Sequence, residues 1–365
     1  MVIGLIGIFV LSVVIQLIYF QGIYRSLLNP SFKVTTSASS FPPISVIICA
    51  RNEDQNLKEY LPPVLEQDYP DYEVMVVDDG SSDQTSLVLQ QYSARYNHLR
   101  VLQIPGGKGK KAALSEGIHQ AQYELLVFTD ADCMPSSASW LKIMASNFTP
   151  GKDIVLGYGP LKKDAGILNA IIRFDILQIA IQYLSFSIIG KPYMGVGRNL
   201  AYRKSLWIQN EGFDTHMDLL SGDDDLFINK AASSNNTAIE IHPDSWTLSD
   251  APSSAYDLFQ QKRRHLTTGY RYPFHTLFLL GLFPLCTIVF YVTGFVLIFT
   301  GTALTVIMMV AGIRFLIQFL LLNNCCNKLG SKDLLLFSPL LEVFCIILNF
   351  SASMTNQFYP KSQWH

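Results

Sequence analysis

The sequence predicts an α/β domain, built on a mostly parallel sheet, held at a membrane by one apolar helix before it and about three after it. Three observations predict this. Hydrophobic residues fill 49% of the 365 positions and charged residues only 15%, against about a quarter charged in ordinary soluble proteins. The longest apolar runs crowd at the two ends of the chain. Between them, from about Ile44 to Tyr272, short apolar runs alternate with helix-like segments, the pattern of βα units around a parallel sheet.

The first element is residues 1–22. Met1–Phe20 carries no charge and has about the length a membrane helix needs. A signal peptide would start with positive residues and end in a small-residue cleavage site; neither is present, so an anchor helix is expected. Residues 23–43 read as a linker, Pro30–Pro43 being rich in Ser, Thr and Pro. In the water-soluble part, 44–272, strands are expected at Ser45–Cys49, Glu73–Val77, Arg100–Gln103 and Glu124–Thr129. The apolar run Ile167–Ile189 contains Arg173 and Asp175, and Asp175, Gln178, Gln182 and Ser185 recur at helical spacing. That pattern suits a helix lying at the membrane surface. Crossing the membrane there would separate Asp130–Asp132 from Gly222–Asp225. Residues 273–356 hold three further spans, His275–Thr300, Ala303–Leu322 and Asp333–Met354, and 357–365 form a tail. Arg314 and Glu342 sit within these spans and should face the bundle interior or pair, because a charge facing lipid is costly. Arg25, Lys33, Lys328 and Lys332 in the loops put the domain in the cytosol by the positive-inside rule. The expectation is a multi-pass membrane protein of a bacterial inner (plasma) membrane.

Composition also excludes classes. The formal net charge of −2 supplies no basic field for nucleic acid. The six cysteines form no CxxC pair, which argues against both a zinc site and a disulfide framework.

Four clusters carry chemistry. Ser45–Glu53 and Val76–Asp83 are apolar strands ending in polar residues, and ligands of parallel α/β sheets bind at such strand ends. Gly106–Leu114 places Lys108, Lys110 and Lys111 in a glycine-rich turn before a helix, a setting that suits a diphosphate. Leu125–Asp132 is a hydrophobic strand ending in Asp130-Ala-Asp132; side chains two apart on an extended segment point the same way, and two such carboxylates can hold Mg²⁺ or Mn²⁺ against phosphate oxygens. Leu219–Phe227 sets three successive carboxylates, Asp223, Asp224 and Asp225, before an apolar run, where they can cap a helix or supply a general base.

The ordered series Ala-Arg-Asn-Glu, Val-Asp-Asp-Gly-Ser, Gly-Lys-x-x-Ala-Leu, Asp-x-Asp and Gly-Asp-Asp resembles family 2 glycosyltransferases, and the flanking helices resemble the membrane-bound branch with its polysaccharide synthases and ceramide-type glucosyltransferases. The resemblance implies a GT-A fold, an inverting mechanism, a nucleotide-sugar donor (UDP-sugars foremost) and a divalent cation. By it Ala50, Glu53 and Asp79 line a nucleoside pocket with Asp78 nearby, Lys110 joins the donor site, Asp130 and Asp132 hold nucleotide and metal, and Asp223-Asp224 matches the family's Glu-Asp pair, with Asp224 the base. Gln261-Lys-Arg-Arg-His265 resembles the branch's Gln-x-x-Arg-Trp; Gln261 and Arg264 match, and Arg264 would neutralise the departing diphosphate. His265 stands where the branch has Trp by the acceptor, which favours single-sugar addition over processive polymer synthesis. Arg198 and Asn199, in Gly195–Ala201, fall at the family's acceptor-side segment. The acceptor implied is lipid-linked or membrane-delivered, a lipid or glycan met among membrane lipids. A catalytically inactive transferase-like subunit is the non-enzymatic alternative.

Overall fold

The computed structural model describes residues 2–29, 41–219 and 221–358; most of the expected linker, and the tail from 359, lie outside the described residues. The strands are β1 (Ile44–Ala50), β2 (Tyr72–Asp78), β3 (Leu99–Gln103), β4 (Leu125–Phe128), β5 (Cys133–Pro135), β6 (Ile154–Leu156), β7 (Leu200–Arg203), β8 (Thr237–Ile239) and β9 (Thr247–Ser249). Seven form one sheet in the order β3-β2-β1-β4-β7-β6-β8, and β5 pairs with β9 beside it. The first four are mutually parallel; β7 runs antiparallel to both its neighbours. β1, β2 and β4 are apolar nearly throughout because helices cover both their faces, the condition under which strands lose polar alternation. On one face pack Leu57, Leu61 and Val64 of helix Asp54–Leu65, with Trp140. On the other, Leu114, Ile118 and Phe128 join a core that continues through Phe174, Leu177 and Leu184 to Tyr24, Leu27, Leu321 and Leu322. The α/β domain and the apolar helices therefore share one core, which seats the sheet firmly on the helices.

Five helical segments are long and apolar enough to cross a membrane: Val2–Leu28, Ile167–Ile188, Phe274–Phe299, Leu304–Lys328 and Lys332–Phe358. The second differs from the rest. In its most apolar window 56% of residues are buried inside the protein, against 22–33% in the others. Crossing by this helix would also part Asp130 from Asp223, which Lys110 joins directly. Its polar stripe corrects the surface-helix picture. Asp175, Gln178 and Gln182 turn inward and line a cavity, Ser185 is fully buried, and the apolar residues pack in the domain core.

Arg314 is completely buried between the apolar helices. Its guanidinium donates to Gln16 Oε1 at 3.0 Å, Gln318 Oε1 at 2.5 Å and both Glu342 oxygens at 2.9 Å, and Phe290 and Phe315 rings lie 4.9 and 4.8 Å away. Tyr291 donates to Glu342 at 2.7 Å. One polar knot thus ties four apolar helices together, satisfying every charge it contains.

Candidate active site

The parallel strands end at one rim, and the sequence clusters meet there. β1 ends at Ala50 and β2 at Asp78, and the Asp79 amide donates to the Ala50 carbonyl at 2.9 Å. The Asp79 carboxylate accepts from the Lys108 and Gly109 amides, both at 2.9 Å, and so fixes the glycine-rich turn against the strand ends. A Cβ at Gly80 would sit 2.9 Å from Gly106 backbone atoms, which is why glycine is required where the two loops touch. β4 delivers Asp130 and Asp132.

Lys110 opens helix Lys110–Gln120 and reaches back into the rim. Its ammonium lies 2.9 Å from Asp130 Oδ1 and 3.0 Å from Asp223 Oδ2. Burial alone would lower its pKa, but Asp130, Asp223 and Asp224 outweigh burial and hold it well above the usual lysine range. Asp130 responds in the matching direction: burial pushes it up, and Lys110 more than reverses that, leaving it below the ordinary value. Asp132 goes the other way, raised by burial and by the charge of Asp130.

The three carboxylates of the Gly-Asp-Asp-Asp segment have different partners. Asp223 pairs with Lys110. Asp225 accepts from the hydroxyls of Thr268 and, at 2.9 Å, Tyr272. Asp224 caps helix Asp225–Ala231, accepting from the amides of Gly197 and Asp225 at 2.8 Å. Burial, then Asp223 and Asp225, push Asp224 up to about 7, where a carboxylate can exchange protons near neutral pH. Asp224 faces the cavity and has no ion-pair partner among the described residues.

Ala50, Glu53, Asp79, Lys110, Asp130, Asp132, Arg198, Asp223, Asp224, Gln261, Arg264 and His265 all border one cavity of about 1240 Å³. Burial raises Glu53 above the ordinary carboxylate value. Arg198 donates to the Gly159 carbonyl at 2.9 Å and to Ser249 Oγ at 3.4 Å. Two expected residues lie elsewhere. Asn199 is fully buried, bonded to Trp140 and to the Tyr158 and Ser245 carbonyls at 2.7–3.1 Å; it holds the core together and does not reach an acceptor. Asp78 is buried behind the wall, accepting from Ser81 and Ser86, and shapes the turn. The lysine cluster is also divided. Lys108 is exposed, and Lys111 donates to the carbonyls of His216, Leu219 and Ser221, so it organises the loop leading to Asp223; Lys110 alone of the three borders the cavity.

The donor set fits a divalent cation. Ligand atoms of Asp130, Asp132 and Cys133 lie within 4.8 Å of one another. Lys110 takes one Asp130 oxygen, and the Cys133 thiol donates to Asp132 Oδ1 at 3.2 Å. The remaining oxygen of each carboxylate has no hydrogen-bond partner among the described residues. Burial, with Asp132 and Asp130, holds the Cys133 thiol well above its usual value, which keeps it a neutral donor that orients Asp132. Sequence spacing gave no sign of this contact.

A parallel-sheet rim bearing an Asp-x-Asp and a carboxylate-led helix defines a GT-A-type transferase domain. Residues 45–206 match the model of glycosyl transferase family 2. Among curated proteins, glycosyltransferase AglE of Haloferax volcanii is 39% identical over 122 residues, 33% of this chain and 40% of that protein. A poly-beta-1,6-N-acetyl-D-glucosamine synthase of Staphylococcus epidermidis is 29% identical over 164 residues, 44% of this chain and 39% of that one. The matched stretch thus spans about two fifths of these relatives' length. The solved mannosyltransferase PcManGT of Pyrobaculum calidifontis, in complex with GDP-Man and Mn²⁺, shares the fold over 99% of this chain and 100% of its own, with a TM-score of 0.66 and 18% identity.

Proposed function

We propose that this protein is an inverting glycosyltransferase that moves one sugar from a nucleotide-sugar donor to an acceptor delivered by the membrane. The observation that carries this is the continuity of the cavity. It begins at the carboxylates and continues between the apolar helices, where Phe20, Leu280, Phe283, Leu321, Ile346 and Phe350 line it. A soluble acceptor needs no such chamber; a lipid chain does.

Ala50, Glu53 and Asp79 take the nucleoside end of the donor. Asp130 and Asp132 hold a divalent cation, Mg²⁺ or Mn²⁺, which when bound supplies Lewis-acid charge to the diphosphate. Arg264, whose guanidinium has no hydrogen-bond partner among the described residues, adds positive charge for the leaving group. The acceptor oxygen attacks the anomeric carbon as the bond from that carbon to the diphosphate oxygen breaks, and the acceptor's proton passes to Asp224. Lys110 keeps Asp130 charged and holds Asp223 in place through their ion pair. His265 borders the cavity where the branch has an aromatic platform, in keeping with single addition. The loop charges support a domain on the cytosolic side, with its donor and metal sites, and the membrane proposed is a bacterial inner membrane.

Asp132→Ala tests the donor half. The unaltered protein should bind a UDP- or GDP-sugar measurably tighter with Mn²⁺ than with chelator, by titration calorimetry in lipid nanodiscs, and the variant should lose that difference. Metal-independent binding, unchanged in the variant, would overturn the assignment of Asp132.

A further inference from the structure

Helix Ile167–Ile188 carries a polar stripe that the donor chemistry leaves unused. Asp175, Gln178 and Gln182 fall at i, i+3 and i+7, one face of a helix, and all three border the cavity. This face lies beside helix Ser338–Phe358, whose Asn349 donates to Asp175 Oδ1 at 3.4 Å, and beside helix Ala255–His265, whose Lys262 is ion-paired with Asp175. Gln182 accepts from the Tyr193 hydroxyl at 3.0 Å through Oε1 and is also hydrogen-bonded to the Tyr24 side chain, so one N–H of its amino group remains for a ligand. Gln178 has no hydrogen-bond partner among the described residues, although it sits within the protein at the cavity wall. Gln178 is half-buried, with its amide open to the cavity, and a ligand hydroxyl would satisfy both its ends.

The charge pattern narrows the ligand. Lys262 is neutralised by Asp175 and Lys110 by Asp130 and Asp223, and Arg264 serves the departing diphosphate. What remains at the stripe is neutral amide, which matches hydroxyls better than phosphate. We propose that Gln178 and Gln182 bind the uncharged sugar or polyol headgroup of a lipid acceptor, with its apolar chains in the chamber lined by Phe283, Leu321 and Phe350. This rests on the transferase reading above and adds the acceptor's chemical class and two specificity-determining residues.

The test uses the full chain in phosphatidylcholine nanodiscs with its donor and Mn²⁺, offered either a monoglycosyl diacylglycerol or a polyprenyl phosphate. Labelled sugar should appear in the glycolipid. Gln178→Leu should raise the acceptor KM about three- to tenfold, the value of one hydrogen bond, and Gln178→Leu with Gln182→Leu should raise it further, while the donor Kd stays that of the unaltered protein. Gln178→Asn, which keeps the amide on a shorter arm, should fall between. Transfer to the polyprenyl phosphate alone, or an unchanged acceptor KM in both leucine variants, would overturn the proposal while leaving the transferase reading intact. Release of no nucleotide with either lipid, or with water as acceptor, would overturn both.

Discussion

Asp224→Asn is expected to lower turnover by about 10²–10⁴-fold, the usual contribution of a positioned general base, with donor affinity preserved. Asparagine keeps the shape and, through its one oxygen, one of the two bonds from the Gly197 and Asp225 amides, but it cannot take the acceptor's proton. The pH profile should identify the group. Asp224 works deprotonated, and burial with Asp223 and Asp225 beside it raises it to about 7 against the pull of Lys110. In the unaltered protein kcat/KM should therefore climb as pH rises towards neutrality and level off above it, and the variant should lose that limb. Steady-state assays between pH 5 and 9 measure both. Normal turnover by Asp224→Asn would transfer the role to another carboxylate. Asp225 would come next, although its bonds to Thr268 and Tyr272 give it a structural task.

The largest stability effect is expected inside the helix bundle. Arg314→Met leaves Glu342 buried with its charge unmatched, and breaking a buried pair from one side costs about 3–5 kcal/mol. Glu342→Leu should cost a similar amount by stranding Arg314. The double variant should recover most of the loss, because two apolar side chains of similar size replace both charges. Residual polar groups of Gln16, Gln318 and Tyr291 keep recovery incomplete. Thermal unfolding of the four proteins in one detergent supplies the cycle; additive losses in the double variant would mean that Arg314 and Glu342 act independently, against the bonds between them.

Much of this arrangement was legible in the sequence for identifiable reasons. β1, β2 and β4 are continuous apolar runs ended by polar residues, so both the strands and the rim they share could be read. β6, β8 and β9 are three residues each, too short for periodicity to register. Asp130, Asp132 and Asp224 can be proposed from the sequence because their motif spacing is local, and the fold brings them to one cavity. Asn199 was misplaced because its partners, Trp140 and Ser245, lie 59 and 46 residues away, and nothing local separates an amide filling the core from one facing a ligand. Lys111 looked like its neighbour Lys110, yet one helical step turns its ammonium to the carbonyls of His216, Leu219 and Ser221. The stripe on Ile167–Ile188 was visible as a pattern, but its direction depended on what packs against each face. Periodicity reports that a helix has two faces without saying which one meets water.

The most direct test of the central claim is nucleotide release. Purified protein in lipid, given a panel of UDP- and GDP-sugars, Mn²⁺ or Mg²⁺ and a membrane lipid extract, should release the nucleoside diphosphate of one donor and place its sugar on a lipid, and Asp132→Ala should do neither. Metal-dependent binding of no donor in the panel, with no nucleotide released, would contradict a transferase and leave a transferase-shaped subunit without the reaction.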